Sequence, residues 1–269
     1  MERVQSTLRE LAKALKSLPG GSAPEWVHKL RTAIRRVEAI AAALPQEGKK
    51  PARRLLRAIE PVRKASGEVR DLDVLRIKTR KLARRAPREG IERLIGRIES
   101  DRERSAVKLR RAFERRCEDA RKHLKQYAKQ LGEELGAANS GGKGNGLPIE
   151  EMHAAAMESL RELGAWPPLE EANLHGFRLK VKRLRYILQM DAESEPALLE
   201  TLGLVQRRVG DWHDWLQLET LARATLDAEQ DAALLERIGK TTKRRFNQAM
   251  KAANGFRGKY LTAPRATGI

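Results

Sequence analysis

A single cysteine, Cys117, stands in 269 residues, so the chain cannot close an internal disulfide. The opening Met1-Glu2-Arg3 leads into a charged helical pattern instead of an apolar leader. Both absences point to a reducing compartment, and the expected location is cytoplasmic. The longest plainly apolar stretch, Ala39 to Leu44, is six residues, far below the ~20 that a membrane-spanning helix needs. No membrane span is expected. Aromatic residues make up only 4% of the chain, which leaves few platforms on which bases could stack and weakens a single-stranded nucleic-acid reading. Period-two alternation is almost absent, which excludes a sheet protein.

Positive charge is what the chain has in excess. Lys and Arg number 55 against 36 Asp and Glu, a formal +19 that calls for a polyanionic partner. The excess is uneven: residues 1–140 carry 36 basic and 19 acidic groups, or +17, while 141–269 carry 19 and 17, or +2.

Ala, Leu, Arg, Lys and Glu dominate, and apolar residues recur with helical period, so the fold class is all-α with long helices. Helices are expected near 2–18, 24–44, 50–65, 68–86 and 90–131, then near 149–163, 172–190, 196–209, 212–226 and 229–255. The longest stripe includes Ile91, Leu94, Ile95, Ile98, Ala106, Leu109, Phe113, Ala120, Leu124, Ala128 and Leu131, a rod of ~60 Å. Pro24, Gly48, Pro87, Pro148, Pro168 and Pro196 mark breaks, and Pro61 is expected to kink its helix. Five Gly and a Pro between Gly136 and Pro148 make a linker, 136–148, separating a first half, 1–135, from a second, 149–269.

The halves are self-similar. His28-Lys-Leu-Arg31-Thr-Ala-Ile-Arg35-Arg36 aligns with His175-Gly-Phe-Arg178-Leu-Lys-Val-Lys182-Arg183 at a separation of 147, and Gly67-Glu-Val-Arg70-Asp71 with Gly210-Asp-Trp-His213-Asp214 at 143. On a helix, His28, Arg31 and Arg35 fall within about 60° of one another, with Arg36 at the margin, and His175, Arg178 and Lys182 repeat the pattern. Leu30, Ile34 and Val37, and Phe177, Val181, Leu184 and Leu188, occupy the opposite sides. The cationic faces hold no carboxylate. Such a face repels itself when empty and is stabilised by phosphate, to which Arg presents a bidentate fork, Lys a point charge and His one or two N–H donors.

These segments, continued by Arg185-Tyr186 and by Val69-Arg70-Asp71-Leu-Asp73-Val74, closely resemble the CHAD family, the conserved-histidine α-helical domain. The resemblance covers essentially the whole chain. It implies two four-helix bundles related by a pseudo-two-fold axis, enclosing a basic central cavity or pore that binds inorganic polyphosphate, with association to polyphosphate granules. Such domains occur alone or behind a triphosphate-tunnel domain, and this one is expected to be free-standing. Carried over residue by residue, the phosphate ligands are His28, Arg31, Arg35, Arg36, His175, Arg178, Lys182, Arg183 and Arg185, with Arg70 and His213 in the second motif and Arg63, Lys64 and Arg207 one or two turns before it. At Gly203 the chain departs from the family pattern, where a Lys is usual.

No catalytic residue, metal or cofactor is expected. Asp71 and Asp73 project about 200° apart on a helix, and a helix start or a salt bridge to a motif Arg explains these acids more simply than a metal cage does. Asp211 and Asp214 are the matching acids of the second half. His123 and His153 lie outside both motifs, Cys117 is a packing residue, and Trp166, Trp212 and Trp215 are core or junction aromatics. The alternative is a nucleic-acid-binding basic helical protein, using the +17 first half to cover duplex phosphates.

Overall fold

In the computed structural model, residues 2–18, 22–43, 50–83, 88–139, 148–190 and 194–261 are described, and no strand occurs among them. The chain is all-α. Its elements are α1 (Glu2–Ala14), α2 (Pro24–Ala43), α3 (Lys50–Leu82), α4 (Arg88–Asn139), α5 (Pro148–Gly164), α6 (Glu171–Leu188), α7 (Pro196–Arg223) and α8 (Ala232–Phe256), closed by a π-turn over Arg257–Leu261. Contacts cluster into two compact units, residues 1–73 with 99–155 and residues 74–98 with 156–269.

In the first unit the core follows from helical spacing. Val4, Leu8, Leu11 and Leu15 form the buried stripe of α1, and Val27, Leu30, Ile34, Val37 and Ile40 that of α2. Each such side chain, taken fully out of water, stabilises the fold by ~1.5–3 kcal/mol. Phe113 of α4 meets Trp26 of α2 edge-on at 5.6 Å. Arg102 ties three segments together: its Nε donates to Asp73 Oδ1 at 2.6 Å and its Nη2 to the Ser22 carbonyl at 2.9 Å. Asp73 is only 1% exposed, so Arg102 balances a buried carboxylate, and removing one partner of such a buried pair costs ~3–5 kcal/mol.

The second unit packs Leu174, Phe177, Val181, Leu184 and Leu188 of α6 against Leu202, Val205, Val209 and Trp212 of α7 and the apolar side of α8. Phe177 is met edge-on by Trp166 at 6.0 Å, and Phe246 packs tilted against Trp212 at 5.5 Å. Arg93 pairs with Asp231, 3% exposed, at 2.7 Å. On another side of α7, Lys78 Nζ donates to Asp211 at 2.5 Å and lies 3.9 Å from Asp214, while Arg245 Nε lies 3.0 Å from Asp211.

Two expected breaks are absent. Segments 50–65 and 68–86 form the single helix α3, and 196–209 and 212–226 the single helix α7, so ten expected helices become eight among the described residues. Pro61 sits inside α3. It removes one N–H and crowds the carbonyl of Arg57, but Ala58, Ile59, Val62 and Ala65 around it are buried, and their packing carries the helix through. Gly67 and Gly210, where the breaks were expected, are helical residues with a close-approach role set out below. Helix α4 is 52 residues long, about 78 Å, and runs past the expected linker start at 136. Residues 140–147 of that linker, with Gly48, Arg84, Arg85 and Pro87, lie outside the described residues.

Candidate anion-binding site

Each unit contains one seam between a motif helix and the helix after it: α2 with α3 in the first, α6 with α7 in the second. The apolar stripes of α2 and α6 face their cores, which turns the cationic stripes toward the rim of the seam.

In the first seam Arg31 lies across Gly67. A Cβ at that position would collide with Arg31 Nη1, so only glycine lets the guanidinium rest on the helix. Arg31 Nη2 stands 3.8 Å from Asp71 Oδ1. Burial draws Arg31 below the usual arginine range; Asp71 opposes this, and the charges of Arg35, Arg63 and Arg70 add to it. Four arginines from two helices therefore converge here. Glu38 stands among them, accepting from Arg35 Nη1 at 3.1 Å and lying 2.9 Å from Arg63 Nε. Glu60 takes Lys64 at 2.8 Å and lies 4.0 Å from Arg63. The expected carboxylate-free face is thus corrected: Glu38, one turn beyond Arg35, and Glu60 of α3 partly neutralise it. Arg36 points elsewhere, toward Glu10 of α1 at 2.8 Å, while His28 and Lys64 are exposed.

The second seam repeats the first contact and changes the charges around it. Arg178 lies across Gly210, where a Cβ would stand 2.9 Å from Nη2, and its Nε donates to the Gln206 carbonyl at 3.2 Å. Arg185 Nη1 donates to the Gln206 side chain at 3.2 Å. Gly203 leaves room for two guanidinium groups, since a Cβ there would be 3.2 Å from Arg207 Nη1 and 3.4 Å from Arg185 Nε. The His175 and His213 rings lie 4.0 Å apart with a 39° tilt, and His213 Nε2 is 3.3 Å from the Gln217 amide nitrogen. Lys182 Nζ sits 5.6 Å from the Tyr186 ring centre, and Arg183 is exposed. Burial, then the charges of His175 and Arg178, draw His213 from 6.5 down to about 4, so it is neutral at pH 7.

Aligned by the two repeat separations, Glu38 stands where the second half has Arg185, Glu60 where it has Gly203, and Arg63 where it has Gln206. Arg185 and Arg207 have no described carboxylate within pairing distance. Lys78 and Arg245 hold Asp211, and Asp214, one turn after Gly210 on the same side of α7 and aligned with Asp71, lies 3.9 Å from Lys78. The half with a net charge of +2 therefore leaves Arg185 and Arg207 without the described carboxylate partner that Arg35 and Arg63 have in Glu38, an outcome set by where acids sit and invisible in a count.

The acids beside the first motif face arginines. Asp71 faces Arg31, while Asp73 is buried against Arg102. Among the described residues no three His, Cys, Asp or Glu side chains converge as a metal-binding group. His123 Nδ1 lies 3.1 Å from Gln126 on the surface of α4, His153 is exposed, and Cys117 is half-buried. No helix among the described residues is long and apolar enough to cross a membrane.

Paired motif helices with this arginine-on-glycine contact are accompanied by a family match: residues 2–223 fit the CHAD domain, and the chain belongs to that family. The crystal structure of the CHAD domain from the plant Ricinus communis is similar in fold, with a TM-score of 0.62 at 20% identity, covering 98% of this chain and 90% of that one. No curated protein matches the chain.

Proposed function

We propose that this CHAD protein binds inorganic polyphosphate in the cytoplasm, including at polyphosphate granules, without hydrolysing it. The α6–α7 seam is the principal site, with His175, Arg178, Lys182, Arg185, Arg207 and His213 as ligands. Arg31, Arg35, Arg63 and Arg70 of the first seam form a weaker cluster with Arg36, Lys64 and His28 at its margins, and Arg183 acts at the margin of the α6–α7 seam. The observation that carries this reading is the approach of Arg185 and Arg207 to Gly203 beside Arg178, with no described carboxylate paired to either. A phosphate chain supplies the missing anion once per unit, and guanidinium forks meet its oxygens bidentately. Neutral His213 offers one N–H donor.

Competition at physiological salt between long-chain polyphosphate and RNA or DNA of equal charge tests the assignment. Polyphosphate is expected to win, with affinity falling steeply as salt rises because bound counter-ions are released. Equal or tighter nucleic-acid binding would replace this reading with that of a nucleic-acid-binding protein. Incubation with polyphosphate and Mg²⁺ is expected to release no orthophosphate above the buffer control.

A further inference from the structure

A concave surface of about 830 Å³ lies in the unit formed by residues 74–98 and 156–269, between the end of α3, Trp215 of α7 and α8. Trp215 projects from a different side of α7 than Gly203, Gly210 and His213, so this groove is separate from the seam. Its chemistry is two-sided. Ile77, Leu82 and Trp215 supply an apolar floor, in which Ile77 is 48% exposed and Leu82 and Trp215 show 7% and 6% of their surface. Arg80 and Lys81 of α3 and Arg237, Arg244 and Arg245 of α8 supply the wall, and no Asp or Glu lines it. Arg237 and Arg244 lie two turns apart on one side of α8 with Thr241 between them, and neither has a described carboxylate partner. Arg245 is fixed in place, its Nε 3.0 Å from Asp211 and its Nη1 donating to Gln248 at 2.9 Å. The adjoining hollow adds Lys240 and Glu236, which pair with each other at 2.6 Å.

We propose that this groove is a binding site for an organic phosphate of nucleoside di- or triphosphate size, the phosphates on Arg237 and Arg244 and the flat base on Ile77 and the edge of Trp215. Three features select this class. The volume suits one small molecule, since ligand pockets run from roughly 300 to 1,000 Å³. Bare inorganic polyphosphate gains nothing from the apolar floor, whereas a base buries it. Arginine outnumbers lysine four to one in the wall, and guanidinium both forks onto phosphate and stacks on a base.

Isothermal titration of the full chain with ATP, and separately with tripolyphosphate, at physiological salt tests the site. ATP is expected to bind at least five times more tightly than tripolyphosphate. Arg237→Ala with Arg244→Ala is expected to weaken ATP at least tenfold. Ile77→Ser, at an exposed position that the fold tolerates, is expected to weaken ATP while leaving tripolyphosphate unchanged. The seam variant Arg178→Gln with Arg185→Gln is expected to lose polyphosphate and keep ATP. Tripolyphosphate equal to ATP, ATP loss that follows the seam variant instead of the groove variants, or displacement of ATP by an acidic peptide or a short oligonucleotide at lower concentration would each overturn the assignment. Polyphosphate affinity measured on the same wild-type protein reports separately on the seam.

Discussion

If the α6–α7 seam holds the ligand, the position of a positive charge matters more than its number, and two double variants with the same change in net charge separate these effects. Arg178→Gln with Arg185→Gln removes two guanidinium groups from the seam. Arg115→Gln with Arg116→Gln removes two exposed ones from α4, outside both motifs. A charge-assisted contact is worth ~1.5–3 kcal/mol and ~1.4 kcal/mol is a tenfold change in affinity, so two lost contacts amount to at least roughly a hundredfold. A flexible polyanion recovers part of this by shifting onto neighbouring cations, which leaves a loss of at least about tenfold as the expectation for the seam. The α4 pair acts only through the screened field, whose reach at physiological salt is about 8 Å, and is expected to cost no more than about threefold. Displacement of a labelled polyphosphate, followed by fluorescence polarisation, reads both. Arg178→Gln also gives up the bond to the Gln206 carbonyl, worth ~1 kcal/mol of stability, so circular dichroism and melting temperature are measured alongside. Comparable losses of affinity in two folded variants would refute the reasoning.

Gly210→Ala places a Cβ 2.9 Å from Arg178 Nη2. The movable end of a side chain must yield, so the helix gains ~1 kcal/mol of propensity while the arginine is displaced, and melting temperature is expected to hold or rise as affinity falls by about fivefold. Glu38→Gln releases Arg35 and Arg63 from their shared carboxylate and is expected to tighten polyphosphate by about threefold in the same displacement assay; weaker binding would show that Glu38 instead positions these arginines for the ligand. His213 titrates near 4 in the fold against an ordinary 6.5, so the unfolded chain binds more protons between those values. Its contribution to stability is therefore fully present above 6.5 and lost as pH falls toward 4. Phosphate favours the imidazolium, so polyphosphate is expected to raise that pKa and bind more tightly on acidification through this window; an NMR titration of the His213 ring, free and bound, checks both.

Helical periodicity reveals most of the architecture, because the buried positions of α1, α2, α4 and α6 recur at three and four residues and nothing competes with that spacing. It misjudges α3 and α7 because glycine carries two meanings. Gly67 and Gly210 look like punctuation when only backbone propensity is weighed, whereas each marks the place where a guanidinium from the preceding motif helix crosses the chain. The arginine three residues after each motif histidine was the available clue, since the same offset leads to a glycine partner in both halves. Of the candidate ligands, those on the inner stripes of the motif helices are legible from spacing, but their neutralisation is not. Glu38 lies just outside the quoted motif and Glu60 comes from another helix, so their contacts with Arg35, Arg63 and Lys64 depend on tertiary placement.

The placement of Glu38 also determines what the empty protein asks of its solvent. In the first unit the counter-ion is covalently part of the chain, so Arg35 and Arg63 remain balanced in plain buffer. In the second, Arg185 and Arg207 draw their counter-ions from solution. Amide-exchange protection of α6 and α7 should therefore respond to the identity and valence of the dissolved anion, with sulfate slowing exchange more than chloride at equal ionic strength, while α2 and the part of α3 beside it remain nearly indifferent. An otherwise unliganded preparation would acquire a locally anion-tuned rigidity in the seam that later receives the polymer.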